Sequence, residues 1–230
     1  MNEKKEICFH NLTGLSDYKN TWELQEELQK KIIELKLQGI NKPAGHLIFC
    51  EHPHVYTLGK FGNEKNLLLD HIRLGAVNAG FHHTDRGGDI TYHGPGQLVG
   101  YPIFNLEAFH MGVREYIHTL EEAVISMLSD YGIESTRLNS ATGVWLDGDN
   151  PGKARKICAI GVKVNRSVSM HGFALNINTD LTYFNHINPC GFTDKTVTSM
   201  ENETGEKFDF EQIKESLLTR FQQLFGFTIG

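Results

Sequence analysis

Apolar residues recur along this chain in two rhythms, and the switches between them lay out its elements. Over residues 16–38, Tyr18, Trp22, Leu28, Ile32 and Leu35 return near helical spacing while Glu, Gln and Lys fill the other face. Gly39 supplies a stop, so a first amphipathic helix is predicted there. Residues 113–131 repeat the rhythm through Val113, Ile117, Leu120, Val124, Met127 and Leu128, with Gly132 after them. A last helix is predicted over 209–225, where Asp209 and Gln212 offer a capping box.

Between these helices the period shortens. HLIFC at 46–50 is apolar throughout and suits a buried strand, and Pro53 and Gly59 bracket a second over 55–58. Residues 81–84 and 89–92 flank Gly87 and Gly88 and predict a hairpin; 98–104 is the next strand. GVWLDG leads into a polar loop at 149–154. KICAIGVKV and MHGFALNIN then alternate across residues 165–169, which predicts an antiparallel pair. Strands in runs with helices grouped between them indicate an α+β fold of mixed or antiparallel sheets packed with helices, not a βαβ alternation. With no repeat, low-complexity tract or linker, residues 1–230 read as one domain.

Composition narrows the function. The 230 residues are 40% hydrophobic and 22% charged, ordinary for a soluble protein able to bury a core. A net charge of -6 argues against a general nucleic-acid binder. No apolar run approaches the roughly 20 residues of a membrane span. The start, MNEKKEICFHNL, lacks the apolar segment of a secretory signal. A cytoplasmic protein with no nucleic-acid or membrane partner is expected. Cys8, Cys50, Cys158 and Cys190 are scattered, with no CxxC pair, and read as free thiols.

Candidate chemistry begins in RGGDITYHGPGQLVGYPIFN, residues 86–105, which holds five glycines and Pro95. Such a run brings backbone close to something. No nucleotide fingerprint is met, so Arg86 with Gly87 and Gly88 is either an anion cradle or a hairpin turn with an exposed arginine. His93 alone favours a structural hydrogen bond. Cys50 and Cys158 sit in apolar strands and read as buried and inert. Cys190 differs: in His186-Ile-Asn-Pro-Cys-Gly191 it belongs to a turn, where a nucleophile is presented to a cleft.

A thiol of pKa near ~8.5 needs a cation or base beside it to react at neutral pH. His186 and Lys195 are local candidates; Lys156, His171 and His93 are distant ones, and spacing does not choose among them. Lys163 and Lys153 read as solvated. Cys50, His52 and His54 alternate as CEHPH and His82 and His83 are paired. Without HExxH or paired CxxC motifs, no metal and no cofactor is expected.

RGGDITYHGPGQLVGYPI, KICAIGVKV, MHGFALNIN and INPCG, in that order and spacing, closely resemble the lipoyl(octanoyl) transferase family, and EHPHVYTLGK resembles its upstream block. The matching blocks run from about residue 51 to residue 191, most of the chain. The resemblance implies an α+β fold similar to the catalytic domain of biotin and lipoate ligases. It implies transfer of an octanoyl group from octanoyl-acyl carrier protein to a lysine on lipoyl domains of 2-oxoacid dehydrogenases or the glycine-cleavage H protein, in lipoate biosynthesis. Cys190 would hold the acyl group as a thioester, with Lys156 as its catalytic partner. Substrate would be bound by Arg86, Gly87, Gly88, Asp89, Ile90, Thr91, Tyr92 and His93. Two further blocks would join them: Ala159, Ile160 and Gly161, and then Gly172, Phe173 and Ala174. His171 is a supporting group.

Those roles are chemically coherent. An ammonium beside Cys190 favours the thiolate, and a lysine that has lost that anion more readily releases its own proton and serves as a base. Two departures from the family stand out: Cys158 where a smaller residue is common, and a longish loop at 147–154. The rivals are an ATP-dependent lipoate or biotin ligase on the same fold, a cysteine hydrolase and a non-catalytic acyl-binding module.

Overall fold

The computed structural model describes residues 5–40, 42–138, 141–150, 152–188 and 196–230. In chain order the first elements are β1 (Lys5–Leu15), α1 (Tyr18–Leu37), β2 (Gly45–Glu51), β3 (Val55–Leu58), α2 (His71–Ala76), β4 (Gly80–His83), β5 (Ile90–His93) and β6 (Gln97–Phe104). The second half holds α3 (Val113–Asp130), β7 (Thr136–Leu138), β8 (Ala141–Leu146), β9 (Arg155–Asn165) and β10 (Val168–Asn176). It ends with β11 (Thr196–Val197), α4 (Met200–Thr204), α5 (Phe210–Phe225) and β12 (Phe227–Ile229). Among the described residues the larger sheet runs β12-β1-β2-β6-β10-β9-β8-β7, with β11 paired to β9, and a small sheet runs β4-β3-β5. This is the mixed α+β architecture the sequence predicts.

The central strands β2, β6 and β10 are buried almost end to end because both faces are covered. In β2, Leu47 and Phe49 enter the core beneath α3 and α5, while Ile48 and Cys50 enter the layer beneath α1. In β6, Leu98 and Phe104 face the first layer and Val99, Tyr101 and Ile103 the second. Leu28 and Ile32, from the predicted stripe of α1, close that second layer. The Asp17 side chain caps α1 by accepting from the Asn20 N–H at 2.9 Å, and Asp209 caps α5 by accepting from the Gln212 N–H at 3.0 Å. β9 and β10 form the predicted antiparallel pair, Asn165 opposite Val168 through Cys158 opposite Leu175.

One pairing differs from expectation. Residues 81–84 and 89–92 do not make a hairpin: β4 and β5 lie on opposite sides of β3, parallel and antiparallel to it. The connection is instead folded over the end of β3. Thr84 N–H donates to the Leu58 carbonyl at 2.8 Å, and Gly59 N–H to the Asp89 carbonyl at 3.1 Å. Strand β3 outcompetes the local turn for both backbones. β1 and β12 are additions the pattern does not reveal. Only Ile7 of β1 is fully buried, so the strand carries no clean alternation.

Candidate active site

Against the loop over residues 84–89, strands β5, β6, β9 and β10 border a cavity of about 910 Å³. The glycine-rich block supplies Arg86, Gly87, Gly88, Asp89, Ile90, Thr91 and His93 to its lining. β9 supplies Lys156, Ala159, Ile160 and Gly161, and β10 supplies His171, Gly172, Phe173 and Ala174. Three blocks far apart in sequence therefore line one cavity. Tyr92 is the exception. Strand alternation turns it away, into the small sheet's apolar layer against Tyr56, Tyr183 and Phe184, with its hydroxyl 2.8 Å from His54 Nδ1. Cys190 and Lys195 lie outside the described residues; Asn188 and Thr196, the described neighbours of that segment, both line the cavity. His93 and His171 also line it, and His186 does not.

Arg86 is neither an exposed turn residue nor an open anion cradle. It is buried, and its guanidinium donates to the Thr57 and Asp89 carbonyls at 2.7 Å each and to the Gly87 carbonyl at 3.0 Å. It thereby ties the loop to β3. The loop passes so close to its neighbours that a Cβ on Gly59 would lie 2.3 Å from the Gly88 carbonyl oxygen, and one on Gly161 would lie 2.7 Å from that of Gly87. Glycine is required at both positions by contact, not by flexibility.

His93 is part of a chain of buried hydrogen bonds. Gln97 donates from Nε2 to the Tyr92 carbonyl and to Asn176 Oδ1, which leaves its Oε1 to accept from His93 Nδ1 at 2.8 Å. His93 Nε2 then faces Thr57 Oγ1 at 3.5 Å. Burial pushes the imidazole down to about 3, so it stays neutral. At the other end Asn176 donates to the Thr198 carbonyl at 2.9 Å, and Thr198 N–H donates to the Lys156 carbonyl at 2.9 Å. The glycine-rich block and the lysine strand are thus linked through side chains that sequence spacing does not single out: Thr57, Gln97 and Asn176.

His171 stands in left-handed backbone, φ +59°, and donates from Nε2 to Asp85 Oδ1 at 2.7 Å. Its Nδ1 is buried without a hydrogen-bond partner. Burial lowers its pKa, while the His171 hydrogen bond, with Lys163 beside it, holds the Asp85 carboxyl below the usual carboxylate range. Lys163 is accordingly paired with Asp85, not simply solvated. Cys50 and Cys158 are buried, and desolvation pushes both thiols up, as expected for inert cysteines. The CEHPH histidines are used locally. His52 Nδ1 lies 2.7 Å from the Ser16 carbonyl and its Nε2 2.8 Å from the Tyr101 hydroxyl, and His54 stacks on Tyr183. Among the described residues no three His, Cys, Asp or Glu side chains converge as metal ligands.

A cavity lined by Lys156 and by a glycine-threaded loop is what the fold builds, and comparison with known proteins gives the class. Residues 17–222 match the family model of the lipoyl protein ligase A/B catalytic domain, and the chain belongs to that family. A protein of Bacteroides thetaiotaomicron named octanoyltransferase is 54% identical over 204 residues, covering 89% of each chain. One of the same name from Christiangramia forsetii is 52% identical over 227 residues, covering 96% of each. Like these relatives, the chain is an acyltransferase. The fold is shared with more distant enzymes. A lipoate-protein ligase A structure with bound ATP superposes with TM-score 0.69 at 14% identity, over 99% of this chain and 88% of that one. A bipartite lipoate protein ligase from Thermoplasma acidophilum gives TM-score 0.69 at 15% identity, over 99% and 86%.

Proposed function

We propose that this acyltransferase carries an octanoyl group from octanoyl-acyl carrier protein to a lysine of a lipoyl domain, through a thioester on Cys190 and without ATP. The observation that carries the reading is the convergence of Lys156, the glycine-rich block and the flanks of the Cys190 segment on one cavity. Its volume of about 910 Å³ suits an acyl chain together with an incoming side chain. The relatives' shared name, octanoyltransferase, supports the acyl group.

In the proposed sequence the Cys190 thiolate attacks the thioester carbonyl of the carrier, with the Lys156 ammonium as its counter-ion. The tetrahedral intermediate expels the carrier's thiolate, which takes a proton from Lys156. The neutral acceptor amine then attacks the enzyme thioester and gives a proton to the Lys156 amine. Expulsion of the Cys190 thiolate completes the amide and restores the starting charges. The same reading gives the cytoplasm as the compartment and one domain as the unit. Octanoyl transfer from the carrier to a purified lipoyl domain, measured with and without ATP, tests it. Transfer independent of ATP and lost in Cys190→Ala supports the mechanism. A strict ATP requirement, or activity retained in Cys190→Ala, contradicts it and favours a ligase.

A further inference from the structure

Lys156 has a neighbour that sequence reading passes over. Its Nζ lies 4.6 Å from the centroid of the Trp145 ring, over the face of the indole. The two residues sit directly opposite each other in the β8–β9 register, and both line the cavity. The indole is itself fixed. Trp145 is 2% exposed, and its Nε1–H donates to the Ala141 carbonyl at 2.9 Å within its own strand.

The strand carrying it is also held from behind. Glu121 on α3 accepts from Gly143 N–H at 2.9 Å through one carboxylate oxygen and from Arg137 Nε at 3.1 Å through the other. Gly143 takes φ +122°, and the β8–β9 register shifts between Val144 and Trp145. That irregularity is what lets Trp145 pair with Lys156 while Val144 pairs with Cys158.

We infer that Trp145 is the positioning residue for Lys156: its electron-rich face holds the ammonium against the cavity wall and favours the charged form. An aromatic face attracts a cation through the ring quadrupole, and the attraction grows as water is removed. The inference rests on the proposed role of Lys156 as counter-ion to Cys190. A purely space-filling tryptophan would serve as well with any ring electronics, and this separates the two accounts.

The test replaces Trp145 site-specifically with mono-, di-, tri- and tetrafluorotryptophan, leaving Trp22 native, in the full chain. The rate of octanoyl loading from octanoyl-acyl carrier protein is followed in a single turnover by intact mass. Fluorination weakens the quadrupole with little change of shape, so the rate should fall stepwise, by about five- to tenfold over the series, with an unchanged thermal midpoint. Trp145→Phe should keep most of the rate, and Trp145→Leu should fall below the whole series. A flat fluorine series, with Lys156→Ala inactive, overturns the role of Trp145 and leaves that of Lys156 standing. Lys156→Ala loading as fast as wild type overturns the role of Lys156 and this inference with it.

Discussion

Two cations line the same cavity and are used in opposite ways. Arg86 donates to three backbone carbonyls, those of Thr57, Gly87 and Asp89, and so fixes a loop. Lys156 rests its ammonium on an aromatic face at the other wall. The difference follows from the groups themselves. A guanidinium is always charged and presents a planar fork of donors suited to holding several carbonyls. An ammonium is a compact charge whose proton can be passed on in catalysis, and an aromatic face holds it in place. The glycine-rich block, the most conspicuous stretch of the sequence, is thus a wall held by buried hydrogen bonds; the proposed proton transfers belong to the plainer strand beside it.

The comparison breaks most visibly at Lys156. Lys156→Ala should slow octanoyl transfer by roughly 10²–10⁴-fold in a steady-state assay while leaving urea stability within about 1 kcal/mol of wild type. Arg86→Ala should do the reverse in kind. Three carbonyls lose a buried donor, and the unfolding free energy in urea should drop by about 3 kcal/mol or more. If Arg86→Ala were as stable as wild type yet inactive, Arg86 would be a substrate ligand and the contrast would fail.

The glycine-rich block should also contribute acid sensitivity through His93. His93 in the folded chain stays neutral down to about 3, whereas in the unfolded chain it protonates below roughly 6.5. Between those values the unfolded state binds more protons, so stability is full above about 6.5 and falls as pH falls through that window. At pH 5 His93 alone should cost roughly 2 kcal/mol in urea unfolding, and His93→Gln should reduce the dependence by that share, leaving the part owed to His46 and His52, which burial also pushes down to about 4. The smallest effect lies away from both walls. Asp209→Ala removes the α5 cap and should cost about 1 kcal/mol with transfer rates unchanged.

What could be read in advance has a physical pattern. β2 and β6 are legible because burial on both faces leaves apolar runs, HLIFC and LVGYPIF, and β9 and β10 are legible from their alternation. The β9–β10 pairing was legible because its turn is local. The hairpin expected over 81–92 does not form because β3 competes for both its arms, and no local signal reports a competitor from elsewhere in the chain. Alternation along β5 sends Thr91 and His93 to the cavity and Tyr92 into the small sheet's apolar layer, a distinction that a motif taken as a block does not carry. Trp145, Thr57, Gln97 and Asn176 were missed because their roles are set by cross-strand register and long-range hydrogen bonds. The motifs do name one part of the cavity lining, from Arg86 to His93 apart from Tyr92 and along β9 and β10, while Tyr18, Ile117, Trp145 and Leu181 complete it from outside them.

The most direct measurement is an intact-mass and peptide-mapping experiment on the wild-type chain incubated with octanoyl-acyl carrier protein, followed by a chase with a lipoyl domain. One octanoyl group should load, on Cys190 and not on Cys8, Cys50 or Cys158, and the lipoyl domain should discharge it onto its lysine. No adduct, an adduct on another cysteine, or one that the lipoyl domain leaves in place would contradict the thioester mechanism.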